Sequence, residues 1–154
     1  VRLATKQTAL GQPAFLYYFD HSYPGEQGHV AAAFHASEIP YVFGEVGTNV
    51  RFPTYWAPPP HTADEVALSR AMVDYWTSFA RTGVPTSSAA PAWKPFADGG
   101  AYMDFAGAAT AATDLLPGMY ALNEEVITRR RRAGNQYWFA NIGLASPPVP
   151  PPTN

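Results

Sequence analysis

Cysteine is absent from this 154-residue sequence, which excludes disulfides and thiolate metal sites and leaves the redox compartment undetermined. Charge is scarce as well. Charged residues make up 14% of the chain, against roughly 25% in an average globular protein. The net charge of −2 creates no field that would draw in nucleic acid or an anionic membrane. No apolar run approaches the ~20 residues that a membrane-spanning helix needs. The opening VRLATKQTALGQPAF carries charge but no apolar core of a secretory signal.

Hydrophobic residues make up 47% and there are 16 prolines, about twice the average proline share of roughly 5%. A chain so apolar and so poorly charged is expected to cover part of its surface with another polypeptide. Residues 1–12 read as the end of a helix stopped by Gly11. The run AFLYYF at 14–19 has the length and aromatic content of a strand buried on both faces. A Pro- and Gly-containing loop, HSYPGEQGH, follows it. ASEIPYVFG at 36–44 is expected to form a short turn and then packed, irregular chain, since Pro40 argues against a central strand. Residues 45–61 form a proline-rich excursion.

Thr62-Ala-Asp-Glu65 is a capping-box pattern that opens the clearest helix, with acids at the positive end of its dipole. Val66, Met72, Val73, Trp76, Phe79 and Ala80 recur at helical spacing and predict its buried face. Gly83 and Pro85 end it. Trp93 and Phe96 are expected to anchor the following loop. AYMDF at 101–105 predicts a short strand, the stretch to Thr113 turn or loop, and 120–133 a second helix with Leu122, Val126 and Ile127 on its apolar side. The chain divides into 1–146 and a proline-rich tail, 147–154. A single buried strand with two helices cannot satisfy its own backbone, so its neighbours are expected on another polypeptide.

Residues 28–44, GHVAAAFHASEIPYVFG, deliver one histidine, His35, on a glycine- and alanine-rich loop. A lone histidine at the mouth of an apolar stretch is more often held by a backbone carbonyl than used in chemistry. It is also a candidate general base, since imidazole exchanges protons near neutral pH, and the residues alone leave both readings open. Together with LSRAMVDYWTSFARTGVPTSSAAPAWKPF, however, the segment resembles the C-terminal part of the type-B, cholinesterase-like carboxylesterases. The resemblance extends to the arginine-rich helix and to Tyr137-Trp138-Phe139, with Lys94 standing where that family usually has proline.

The resemblance implies an α/β fold: the C-terminal part of an α/β-hydrolase, with a central, mostly parallel sheet flanked by helices and completed by an upstream polypeptide. It implies a serine-type ester hydrolase acting on a small-molecule ester, with His35 as the triad histidine and no cofactor. The family's nucleophile sits in a Gly-x-Ser-x-Gly elbow upstream of the histidine. That motif does not occur in this sequence, so the serine and the acid are expected on the upstream polypeptide. Secretion or the periplasm is preferred to the cytoplasm. The other reading is a binding or adhesion relative that has lost its chemistry.

The remaining candidates weigh less. Glu38, three residues after His35, is read as a buried, hydrogen-bonded residue that fixes the loop. Asp20 and His21 are read as local hydrogen-bonding groups. The spacing of His21, His29, His35 and Glu38 matches no common zinc pattern. Arg129–Arg132 is a solvated helix end, where cations complement the dipole. Trp76 and Phe79 are core residues rather than the wall of an acyl pocket, a role that Trp93 would share.

Overall fold

The first structural signal of the chain is a helix end. In the computed structural model, which describes residues 1–23, 32–53, 56 and 58–134, α1 spans Arg2–Ala9. Gly11, at φ 73°, stops it. Its N–H reaches the Thr8 carbonyl at 2.9 Å while that of Gln12 reaches Gln7 at 3.1 Å, the paired bonds of a Schellman motif. The chain divides into two units, Val1–Leu115 and Leu116–Asn154.

In the first unit the aromatic run forms β1, Leu16–Phe19. Its neighbour is in this chain after all. β2, Ala101–Phe105, pairs with it in parallel, Leu16 opposite Tyr102 and Phe19 opposite Phe105. β2 alternates buried Ala101, Met103 and Phe105 with half-buried residues, the period-two pattern of a packed strand. The expected turn or loop before Thr113 is also corrected. Ala109–Thr113 is β3, antiparallel to β2, in a three-stranded sheet of order β1-β2-β3. An alanine-rich, mostly exposed edge strand carries little of the β-branched or aromatic signal that marks strands. Among the described residues only one edge of β1 is paired, and Tyr17 is 39% exposed, so burial on both faces does not hold within this chain.

Pro40 does exclude a strand, but the chain around it is regular. Ile39–Val42 is a single helical turn, α2, with Pro40 at its start, where the missing N–H costs nothing. α3 spans Ala63–Thr82, from the Thr62 cap, whose Oγ1 accepts from the Glu65 N–H, to Gly83 at φ 76°. Its inward face is Glu65, Leu68, Ser69, Ala71, Met72, Tyr75 and Ser78. That face is rotated from the expected one: Ala80 is exposed and Phe79 is 49% exposed. The rotation follows from three polar residues that point inward with partners of their own, which a count of apolar positions passes over. Ser78 Oγ, for example, donates to the Thr86 carbonyl and accepts from the Thr86 N–H.

The core gathers between α3 and the sheet around Tyr41, Met72, Tyr75, Met103 and Phe105. Tyr75 donates to the Pro91 carbonyl, and burial followed by the charge of Asp74 pushes its phenol up to about 12. Trp93 anchors the loop as expected, donating to the Leu16 carbonyl at 3.0 Å. Phe96 N–H does the same to Ala14 at 2.7 Å.

Asp104 on β2 is a weak point. Burial first, and the charge of Asp20 second, raise its carboxyl above the usual range, and its Oδ1 is buried without a partner. A raised folded pKa stabilises below the unfolded carboxylate range, and that contribution is lost as pH rises through the folded value. Asp104→Asn is therefore expected to raise stability at pH 7 and to show a shrinking advantage as pH is lowered towards about 4, near the carboxylate range. Urea midpoints of the whole protein at several pH values measure this, and a pH-independent difference would contradict it.

The second unit contains α4, Met119–Arg132, between Gly118 at φ 79° and Gly134 at φ 74°. Leu122 and Val126 on its expected apolar side are exposed. The arginines end it, with Arg129 Nε 2.7 Å from Glu125 Oε1 in an exposed i,i+4 pair. The Tyr137–Phe139 cluster and the tail from 147 lie outside the described residues.

Candidate active site

The loop that carries His35 leaves the carboxyl end of β1, the end at which open α/β sheets hold their ligands. His35 itself is exposed and occupies the second position of a tight turn. Ser37 N–H closes the turn onto the Phe34 carbonyl at 3.0 Å, and the buried Ser37 Oγ accepts from the Phe34 N–H at 3.2 Å. Phe34 is held in turn by an edge contact with Trp56, ring centroids 5.3 Å apart. So a solvent-facing imidazole sits on a turn pinned from beneath.

That turn is strained. Ala36, its third residue, has φ 70°, the position that type II turns give to glycine. An L-residue there costs roughly 1–2 kcal/mol, and backbone strain of this kind collects at functional sites. Glycine would relieve it at the cost of roughly 0.5–1 kcal/mol of extra chain entropy. Ala36→Gly is expected to stabilise the whole protein by a net of about 0.5–1 kcal/mol, read as a rise in the urea midpoint. A fall in the midpoint would show that the alanine is unstrained.

Glu38 follows the turn. It is half-buried rather than buried, and its backbone does the fixing: its carbonyl accepts from the N–H groups of Tyr41 and Val42, both at 3.1 Å. Its charge lies towards β1, where it adds to burial in raising the Tyr17 phenol. Asp20 is tied not locally but to β2, its backbone N–H donating to the Phe105 carbonyl at 3.2 Å.

His21 is not a local group. It is buried, and its Nε2 lies 3.0 and 2.9 Å from the two carboxylate oxygens of Glu65. Tyr41 donates to Glu65 Oε2 at 2.6 Å. Burial and this bond raise the Tyr41 phenol far above its ordinary range. Burial and the same carboxylate raise Tyr23. The sequence does not announce the cluster: Glu65 reads as the exposed acid of a capping box, and only its backbone plays that part, donating to Thr62 Oγ1 at 3.3 Å. With His21 turned into Glu65 and His35 at the surface, the described members of the set weighed as a metal site, His21, His35 and Glu38, are not brought together, and His29 lies outside the described residues. Among the described residues no group of three His, Asp or Glu is placed to hold a metal ion.

Trp76, Phe79 and Trp93 do share a wall. With Phe15 and Tyr17 they line an apolar groove of about 420 Å³ beside α1 and β1. No residue of the His35 turn lines it.

Comparison with known proteins gives this geometry a family. The model of the carboxylesterase family matches residues 1–119. Acylcarnitine hydrolase of Rattus norvegicus is 36% identical over 53% of this chain and 14% of its own length. The medium-chain fatty acyl-CoA hydrolase precursor of Anas platyrhynchos is 29% identical over 86% of the chain and 23% of its own. The chain thus spans less than a quarter of the length of either relative. Among solved structures, a carboxylesterase of Geobacillus stearothermophilus at pH 6.8 superposes with a TM-score of 0.61 and 27% identity, covering 78% of this chain and 24% of that one. A PNB esterase, at 24% identity and a TM-score of 0.52, shares the fold. A histidine loop leaving the end of a parallel strand, a capped helix packed behind it and a family match over three quarters of the residues lead to one assignment: the chain belongs to the carboxylesterase family, as part of an α/β-hydrolase fold.

Proposed function

We propose that this chain supplies the general base of a serine-type carboxylic ester hydrolase, and that the base is His35. The observation that carries this reading is the exposed imidazole on a strained, pinned turn in the connection between β1 and α2. Family membership supports the reaction class, and the lack of a Gly-x-Ser-x-Gly segment in the sequence supports a nucleophile, and with it the triad acid, carried by an upstream polypeptide. The edge of β1 that is unpaired among the described residues, and the apolar groove beside it, are where that polypeptide would pack.

As the serine oxygen bonds to the acyl carbon of a small ester, His35 takes the hydroxyl proton. Backbone amides of the upstream part stabilise the oxyanion. His35 then gives the proton to the departing alcohol, and water repeats the cycle on the acyl-enzyme. None of these steps needs a cofactor.

The test is the sequence of the polypeptide that purifies with, or precedes, this chain in the native particle. A Gly-x-Ser-x-Gly elbow followed by a Glu or Asp is expected. Its replacement by a residue other than serine would instead support a binding or adhesion relative.

A further inference from the structure

The loop bearing His35 has two ends, and both are held by one carboxylate. His21 stands where the chain leaves β1, and Tyr41 stands in α2, six residues after His35. Glu65, in the first turn of α3, is 4% exposed and meets His21 Nε2 with both oxygens and the Tyr41 hydroxyl with Oε2. One turn further along α3, Ser69 Oγ donates to the Tyr41 carbonyl at 3.0 Å, so α3 grips α2 at side chain and backbone together. Tyr41 is fully buried. Its ring lies 5.5 Å from that of His21 and 5.6 Å from Phe19 at the end of β1.

Burying a carboxylate is costly, and a well-packed apolar trio would commonly stabilise such a junction as well or better. Apolar contacts, however, tolerate sliding and rotation. Short hydrogen bonds between charged or polar partners fix direction and register. A network kept at that cost where two elements flank a catalytic turn is explained by the geometry it imposes.

We propose that the Glu65–His21–Tyr41 cluster is the positioning element of the esterase base, fixing both ends of the loop that presents His35. The proposal rests on His35 being that base. Glu65 is not the triad acid, because it bonds His21 and not His35. It acts through the loop, and a base displaced by ~1 Å can lose roughly a hundredfold in rate.

The test uses the whole esterase with two variants that keep the packing volume, Tyr41→Phe and Glu65→Gln, beside His35→Gln. Turnover of p-nitrophenyl acetate gives kcat and KM, and hydrogen exchange is followed peptide by peptide. Tyr41→Phe is expected to lower kcat roughly tenfold or more with KM within about twofold, and to speed exchange over 37–43 while the C-terminal half of α3 and β2 stay protected. Glu65→Gln is expected to do the same more strongly. Native kcat in both variants with His35→Gln inactive would overturn the positioning role alone. Exchange accelerated throughout α3 and β2, with kcat per folded molecule unchanged, would reduce the cluster to general stability and overturn it too. Near-native turnover by His35→Gln would remove the base assignment itself.

Discussion

His35→Gln in the whole esterase is expected to lower kcat for simple aryl esters by ~10⁴ or more, leaving the residual catalysis of the oxyanion hole and binding. Glutamine keeps the approximate size and some hydrogen bonding but cannot accept the serine proton and return it. Folding and thermal stability should change little, because the ring is exposed and its turn is held by Phe34 and Ser37 instead. His29→Gln is the histidine control and should keep most of the activity. His21→Gln is not a neutral control, since it removes a partner of the buried Glu65 carboxylate. Near-native turnover by His35→Gln, or its loss in His29→Gln, would contradict the assignment.

Expressed by itself, the chain is expected to aggregate or remain molten rather than fold cooperatively. β1 has one paired edge among the described residues, and an unpaired hydrophobic strand edge is a template for association. Leu3, Phe43 and Phe79 are exposed to 76%, 72% and 49%, a large apolar surface for so lightly charged a sequence. In the native particle these surfaces should share an interface with the upstream polypeptide above the ~2,000 Å² at which obligate contacts begin. Circular dichroism and light scattering on the isolated chain check this. A monomer with a sharp thermal transition would contradict it.

Legibility in the sequence followed the kind of signal each element carries. α3 was legible because its ends are written in side chains that do one thing, the Thr62 cap and the left-handed Gly83. Gly11, at φ 73°, marks a helix end for the same reason. β3 was not, since alanine has no strand preference and its pairing with β2 is a tertiary fact. The inward face of α3 was misjudged where Glu65, Ser69 and Ser78 are buried, because a polar side chain reads as solvent-facing until its partner is known. Those partners lie 44, 28 and 8 residues away. His35 is singled out by the motif around it, and its exposure and the strain at Ala36 come only with the folded turn. The short α2 was missed because a proline that forbids a strand also begins a helix.

The most direct measurement is phosphonylation of the native esterase by a fluorophosphonate, followed by peptide mass spectrometry and timed with and without His35→Gln. The reagent bonds to a serine oxygen only where a base removes its proton, so it reports nucleophile and base together. A single adduct on a Gly-x-Ser-x-Gly serine of the upstream polypeptide, none on this chain, and labelling slowed by several orders of magnitude in His35→Gln is the predicted result. An adduct on a serine of this chain, or labelling at the same rate without His35, would contradict the account.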